Sequence, residues 1–190
     1  MIIVHSMLIV FIVFFLCSMA QSTWKTGIAP MPSSHHARKV MSQLLPIEPS
    51  ICVDLGSGWG GMLVFLSKKY PEAQIIGYEC SWIPYLYAKI FCRRRNISLY
   101  RKDFLTVFHP KEAVFFCYLC PEGMREISTK LRTDAEWLIS HSFVLPSYTP
   151  VLVCPINDVF RSTIYLYSLK DSSRTKKDTL HTASSFPEPK

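Results

Sequence analysis

The stretch that most constrains this chain is Val53-Asp54-Leu55-Gly56-Ser57-Gly58-Trp59-Gly60, where a short apolar run from Ile51 to Leu55 breaks straight into closely spaced glycines and then into a helical pattern. Glycines at a strand-to-helix seam let the backbone approach a ligand closely, and the free N–H groups at the helix start receive its polar end. Alone, such spacing also describes a tight structural turn. Its setting adds weight, because Met62, Phe65, Leu66 and Tyr70 share one face of the following helix and Gln74 to Tyr78 reads as a second strand ending at Glu79. Glu79 lies about 20 residues beyond the glycines, where a carboxylate accepts both hydroxyls of a ribose.

The alternation continues down the chain. Ile83, Leu86, Tyr87, Ile90 and Phe91 form a single stripe of a helix with Pro84 in its first turn, Asn96 to Tyr100 makes a third strand before Asp103, and Ala113 to Leu119 makes a fourth. Pro121 to Arg132 predicts a helix with Met124, Ile127 and Leu131 inward, and Trp137 to Val144 a fifth strand. Val151 to Cys154 and Ser162 to Leu169 predict two more, joined by a turn at Asn157 and Asp158. Upstream, Ser33 or Ser34 caps a helix with Ala37, Val40, Met41, Leu44 and Leu45 on one face. This pattern predicts an α/β domain with right-handed crossovers, a mostly parallel seven-stranded sheet and, from the closing strand pair without a helix, an antiparallel edge. Loops after the first three strands then converge on one crevice, with Asp103 at the point where an adenine amino group would be met.

At 190 residues, 49% of them hydrophobic, the chain has room for one domain of ordinary size and is neither collagenous nor wholly disordered. From Met1 to Ala20 only His5, Ser6 and Ser18 resist hydrocarbon, enough to span a bilayer as a helix. Ser18-Met19-Ala20 before Gln21 also resembles a signal cleavage site, but no Lys or Arg precedes the apolar run, whereas Lys25, Arg38 and Lys39 follow it. Residues 1–22 are therefore expected to be a transmembrane anchor with the domain facing the cytoplasm or an organellar matrix. Residues 23–50 are expected to form a linker and a helix, 51–170 the folded domain and 171–190 a disordered tail rich in Ser, Thr, Lys and Pro. The net charge of +7 is concentrated partly in Arg93, Arg94, Arg95, Arg101 and Lys102; without a nucleic-acid motif beside it, it reads as a solvated helix end, and no nucleic-acid partner is expected. Seven cysteines, an odd number scattered through apolar runs, read as buried thiols of a reducing compartment. The Cys117-x-x-Cys120 pair lacks a partner pair, so no metal site is expected.

A dinucleotide fold wants G-x-G-x-x-G, which Gly61 supplies only loosely. The pattern opened by Asp54, with glycines at 56, 58 and 60, suits S-adenosyl-L-methionine better: the glycines make room for its amino-acid part and Asp54 helps hold its ammonium. In these features the sequence resembles the class I S-adenosylmethionine-dependent methyltransferases over roughly Ala29 to Leu169. Within them it resembles the membrane-anchored lysine methyltransferases typified by the mitochondrial ATP synthase c-subunit enzyme and its archaeal relatives. That likeness rests on the apolar N-terminal segment, Ala29 to Ser34 leading a helix, the glycine loop, Tyr78-Glu79 and Arg101-Lys102-Asp103. The resemblance implies a Rossmann-like fold and a cofactor site of Asp54, Gly56, Ser57, Gly58, Gly60, Glu79, Asp103 and Phe104. By their placement just after the fourth strand, Tyr118, Cys120 and Pro121 are the candidates for the wall of an acceptor pocket, and Ser33 to His36 either close over the cofactor from the other side or, at His35 and His36, stand as surface residues of the helix start. The chain departs from the family at Trp59 and Gly61, where relatives carry an acidic then a basic residue. A lysine of a membrane protein is the implied acceptor; a small or lipid-like acceptor, or a non-catalytic membrane-tethered nucleotide-binding module, are the alternatives.

Overall fold

The computed structural model describes residues 4–10, 12–13, 33–107, 110–130, 135–158 and 161–170. Strands β1 (Ile51–Leu55), β2 (Gln74–Tyr78), β3 (Ile97–Tyr100), β4 (Val114–Cys117), β5 (Trp137–His141), β6 (Leu152–Pro155) and β7 (Thr163–Ser168) form one sheet in the order β3-β2-β1-β4-β5-β7-β6. The first five strands pair in parallel. Helices α1 (His35–Gln43), α2 (Gly61–Lys69), α3 (Trp82–Phe91) and α4 (Pro121–Lys130) complete the layers. The apolar runs of the sequence are the central strands, as buried parallel strands must be covered on both faces: all of β4 and Cys52 to Leu55 of β1 are buried.

Successive residues of each strand feed opposite cores. Cys52, Ile75 and Phe116 pack with Ala37, Met41, Leu63, Leu66 and Ala88 on the side of α1, α2 and α3. Val53, Leu55, Phe115 and Leu138 pack with Met124 and Ile127 of α4 on the other. Ser34 caps α1, its hydroxyl accepting from the Ala37 N–H at 3.0 Å.

The closing strand pair forms the antiparallel edge expected of it, with β7 antiparallel to both β5 and β6 and lying between them. Its Ile164, Leu166 and Tyr167 are buried, whereas β6 alternates half-buried and exposed, so the more apolar strand takes the inner place. The fifth strand stops at His141 rather than Val144, because Ser142 turns to φ 70° and gives its N–H to the Thr163 carbonyl. The apolar stripe of α3 faces outward, leaving Trp82, Leu86, Tyr87, Ile90 and Phe91 exposed while Pro84 and Ala88 meet the core.

Residues 4–10 and 12–13 are helical and exposed, and among the described residues no helix is long and apolar enough to cross a membrane. The rest of 1–22, the linker at 23–32, Leu131 and the tail from 171 lie outside the described residues.

Candidate active site

The sheet reverses its winding between β1 and β4, and the loops that follow these strands leave toward opposite faces, opening a crevice at their carboxyl ends. The glycine loop forms one lip. Gly56 and Ser57 donate their N–H groups to the Tyr78 carbonyl at 3.1 and 2.8 Å, so the loop is tied to the end of β2. Gly58 (φ 51°) and Gly60 (φ 79°) both need the left-handed conformation, but their surroundings differ. A Cβ on Gly58 would meet no protein atom within 4 Å, so the space above it is open to a ligand. A Cβ on Gly60 would lie 2.4 Å from Cys92 Sγ and 3.1 Å from Ala88 Cβ, so that glycine serves the close approach of α3. Trp59 is carried onto α3, where its ring meets Tyr87 edge-on at 5.3 Å.

Glu79 is buried at the end of β2. Its Oε2 accepts the Gly58 N–H at 2.8 Å and its Oε1 the Ser81 N–H at 2.7 Å. Each ionised carboxylate oxygen has a second lone pair, so both can still receive a hydroxyl. Asp54, on β1 opposite Gly77 and Phe116, is also buried. Burial pushes its carboxyl up to about 7, the neighbouring Glu79 charge adds to the rise, and the Arg38 guanidinium opposes it. Arg38 comes from α1 and donates to the Gly61 carbonyl at 2.7 Å, so α1 closes one side of the crevice with a positive charge. Asp103 is exposed after β3; its carboxylate accepts the Leu105 N–H at 2.9 Å and caps a short 3-10 turn, Phe104–Thr106, in which Phe104 is half-buried against the second core.

Across the crevice, Leu119 lies 3.3 Å from where a Cβ on Gly56 would stand. Tyr118 is half-buried, its ring against His141 at 4.5 Å and Phe143 at 6.3 Å. Cys120 and Pro121 serve the start of α4: the Cys120 sulfur accepts the Gly123 N–H at 3.3 Å, and Pro121 is exposed as the first helical residue. His141 is buried, with Nδ1 3.3 Å from Ser33 Oγ and Nε2 2.8 Å from Ser162 Oγ; that hydroxyl in turn donates to Asp158 at 2.6 Å. Burial lowers the pKa of His141 while Asp158 partly restores it.

The structure thus gathers Asp54, Gly56, Ser57, Gly58 and Glu79 at one lip and Tyr118 at the other, with Asp103 and Phe104 beside the end of β3 and Gly60, Cys120 and Pro121 in supporting roles. Arg38, Leu119 and His141 escaped the reading of the sequence. His141 ends a strand without any motif around it, and Arg38 reads in sequence only as a cation following an apolar segment.

A mostly parallel sheet with its crevice at the β1/β4 switch, a glycine turn after β1 and a carboxylate after β2 defines a class I S-adenosylmethionine-dependent methyltransferase. Residues 54–152 match the ANTKMT methyltransferase domain, just over half of the chain, and the protein belongs to that family. Among solved structures it is similar to an RNA methyltransferase from Salinibacter ruber in complex with S-adenosyl-L-homocysteine, at 20% identity over 73% of this chain and 94% of that one, with a TM-score of 0.63. It is also similar to an uncharacterized protein from Listeria monocytogenes serotype 4b, at 14% identity over 72% and 68% of the two chains and a TM-score of 0.57. At these identities the likeness is one of fold. No curated protein matches the sequence.

Proposed function

We propose that this methyltransferase modifies a protein lysine on a membrane-associated substrate, held beside the bilayer by residues 1–22. The observation that carries the acceptor assignment is the aromatic wall of Tyr118, His141 and Phe143 beside the crevice. Bound S-adenosylmethionine supplies an electrophilic methyl on a sulfonium. Asp54 would hold the cofactor's ammonium, Glu79 its ribose hydroxyls, and the open space at Gly58 its backbone-facing edge. The acceptor nitrogen must offer a lone pair, so a lysine has to lose its proton first. An apolar aromatic wall disfavours the ammonium form by withholding water. His141, kept neutral by burial, adds no cation to that wall, and its bonds to Ser33 and Ser162 fix the ring against which Tyr118 packs. What remains is alignment of donor and acceptor and exclusion of water, the work of α1 on one side and Tyr118 and Leu119 on the other.

An anchor at 1–22 suits such a substrate, since the linker that follows keeps the domain near the membrane surface. The basic residues after the apolar run orient the domain toward the cytoplasm or an organellar matrix. N-terminal sequencing of membrane-extracted protein is expected to return the uncleaved chain; a mature start at Gln21 would contradict the anchor. For the acceptor, purified enzyme and labelled S-adenosylmethionine are incubated with membrane and soluble fractions and the labelled species identified by mass spectrometry. Label on lysine of a membrane protein is expected. Label confined to soluble small molecules, or to a lipid, overturns the lysine reading.

A further inference from the structure

The outward stripe of α3 is an exposed apolar surface of the folded domain that the cofactor site leaves unused. Phe91 is 67% exposed, Trp82 and Ile90 57%, and Leu86 49%, with Leu86 and Ile90 central and Trp82 and Phe91 at the two margins of the outward half of a ten-residue helix. A contiguous exposed apolar face on a folded domain marks a surface that meets another apolar phase. Its flanks say which. From Trp82 to Lys102 the sequence contains Lys89, Arg93, Arg94, Arg95, Arg101 and Lys102 and no acidic residue. Arg93, Arg94 and Arg95 follow the last turn of α3 and are exposed. Together with Lys89 they rim a recess of about 340 Å³ that reaches down to Ala88 and Cys92. Arg101, at the end of β3, lies over the Trp82 ring at 3.8 Å, so one cation is held on the stripe itself.

We propose that α3 is a docking face for an anionic lipid bilayer, with Trp82, Leu86, Ile90 and Phe91 entering the acyl boundary and Arg93, Arg94 and Arg95 engaging lipid phosphates. Aromatic and aliphatic side chains along one helix face, bordered by Lys and Arg, are what an interfacial helix requires: area to bury and charge to attract the leaflet. A second copy of the chain fits poorly, since a self-complementary contact would bring the same cations together. Docking here is independent of residues 1–22. It also touches the active site, because Trp59 of the glycine loop packs on Tyr87, and Tyr87 on Phe91 at 4.5 Å. A docked α3 therefore holds the cofactor crevice close to the bilayer surface.

The test uses the full chain in vesicles of phosphatidylcholine, alone or mixed with phosphatidylglycerol, with brominated phosphatidylcholine as a quencher of tryptophan. The Trp82 signal is the difference between the natural chain and its Trp82→Phe variant. Quenching of that signal is expected in the anionic vesicles and much less in the zwitterionic ones. Replacing Arg93, Arg94 and Arg95 together by Gln is expected to lower the docked-to-undocked ratio by about fivefold per charge. Cofactor affinity in both variants should stay at the natural value, which shows that the fold survives and separates this test from that of the proposed function. Three results would overturn the proposal: an unquenched Trp82 in anionic vesicles, quenching that the triple variant retains, or equal shielding of Trp82 by inorganic phosphate without lipid. Trp82 burial that grows with protein concentration in detergent alone would assign the face to a second copy instead.

Discussion

Gly58 and Gly60 are two residues apart in the same loop and both left-handed, yet the structure gives them different work, and Gly→Ala at each separates the two roles. At Gly60 an alanine at φ 79° costs about 1–2 kcal/mol of backbone strain. Its Cβ, 2.4 Å from Cys92 Sγ and 3.1 Å from Ala88 Cβ, adds about 1–3 kcal/mol of overpacking. A total of about 2–5 kcal/mol corresponds, at about 3–4 °C per kcal/mol for a domain of this size, to a Tm lower by about 6–20 °C. At Gly58 only the backbone term remains, so the expected loss is about 3–8 °C, while cofactor affinity falls at least about tenfold because the new methyl enters ligand space. Thermal unfolding and calorimetric titration with S-adenosylmethionine, both on the full chain in detergent, read the two effects. Cys92→Ala removes the sulfur from the clash, so the Gly60→Ala/Cys92→Ala pair should recover about 1–2 kcal/mol relative to additivity. Strict additivity, or a Gly58 variant that melts below the Gly60 variant, would refute the division of roles.

Three further outcomes are expected. Glu79→Gln should weaken S-adenosylmethionine binding by about 10–100-fold, from loss of charge-assisted hydrogen bonds worth about 1.5–3 kcal/mol, in the same titration. Because the Asp54 carboxyl is raised to about 7, it is largely protonated below that pH, so cofactor affinity should climb as pH rises from about 5 to 8, and Asp54→Asn should flatten the profile. His141 has its pKa lowered by burial, so below pH about 6.5 the unfolded chain binds the extra proton and the folded one resists it; stability should fall on acidification through that range, and His141→Gln should reduce the slope seen in denaturant titrations at stepped pH.

What was legible in the sequence is what is local. The glycine loop, Glu79 and the strand–helix alternation are set by spacing within a few tens of residues, and the structure places them at one crevice. The order of β6 and β7 was hidden, because both runs are apolar and only their relative burial against β5 decides which goes inside. The direction of the α3 stripe was hidden for a related reason: periodicity identifies an apolar face, but tight packing through Ala88, with Gly60 against Cys92, turns the small side of the helix inward and the large side out. Arg38 and His141 reach the site through tertiary folding alone, Arg38 by the seating of α1 and His141 by the end of a strand that pairs with β7.

Glu79 shows why recognition and loop geometry are one problem in this site. Before any hydroxyl arrives, its two oxygens already hold the Gly58 and Ser81 N–H groups, and the Tyr78 carbonyl just before it holds those of Gly56 and Ser57. The end of β2 therefore fixes the glycine loop in the left-handed turns that leave the space over Gly58 open, so little ordering remains to be done when the cofactor binds. The same arrangement buries a second carboxylate, Asp54, beside Glu79: burial first and then the Glu79 charge raise the Asp54 pKa, and Arg38 opposes the rise. A ligand carrying an ammonium relieves the repulsion between the two where a neutral analogue would not. The charge that makes the crevice costly to keep empty is thus the charge that selects what enters it.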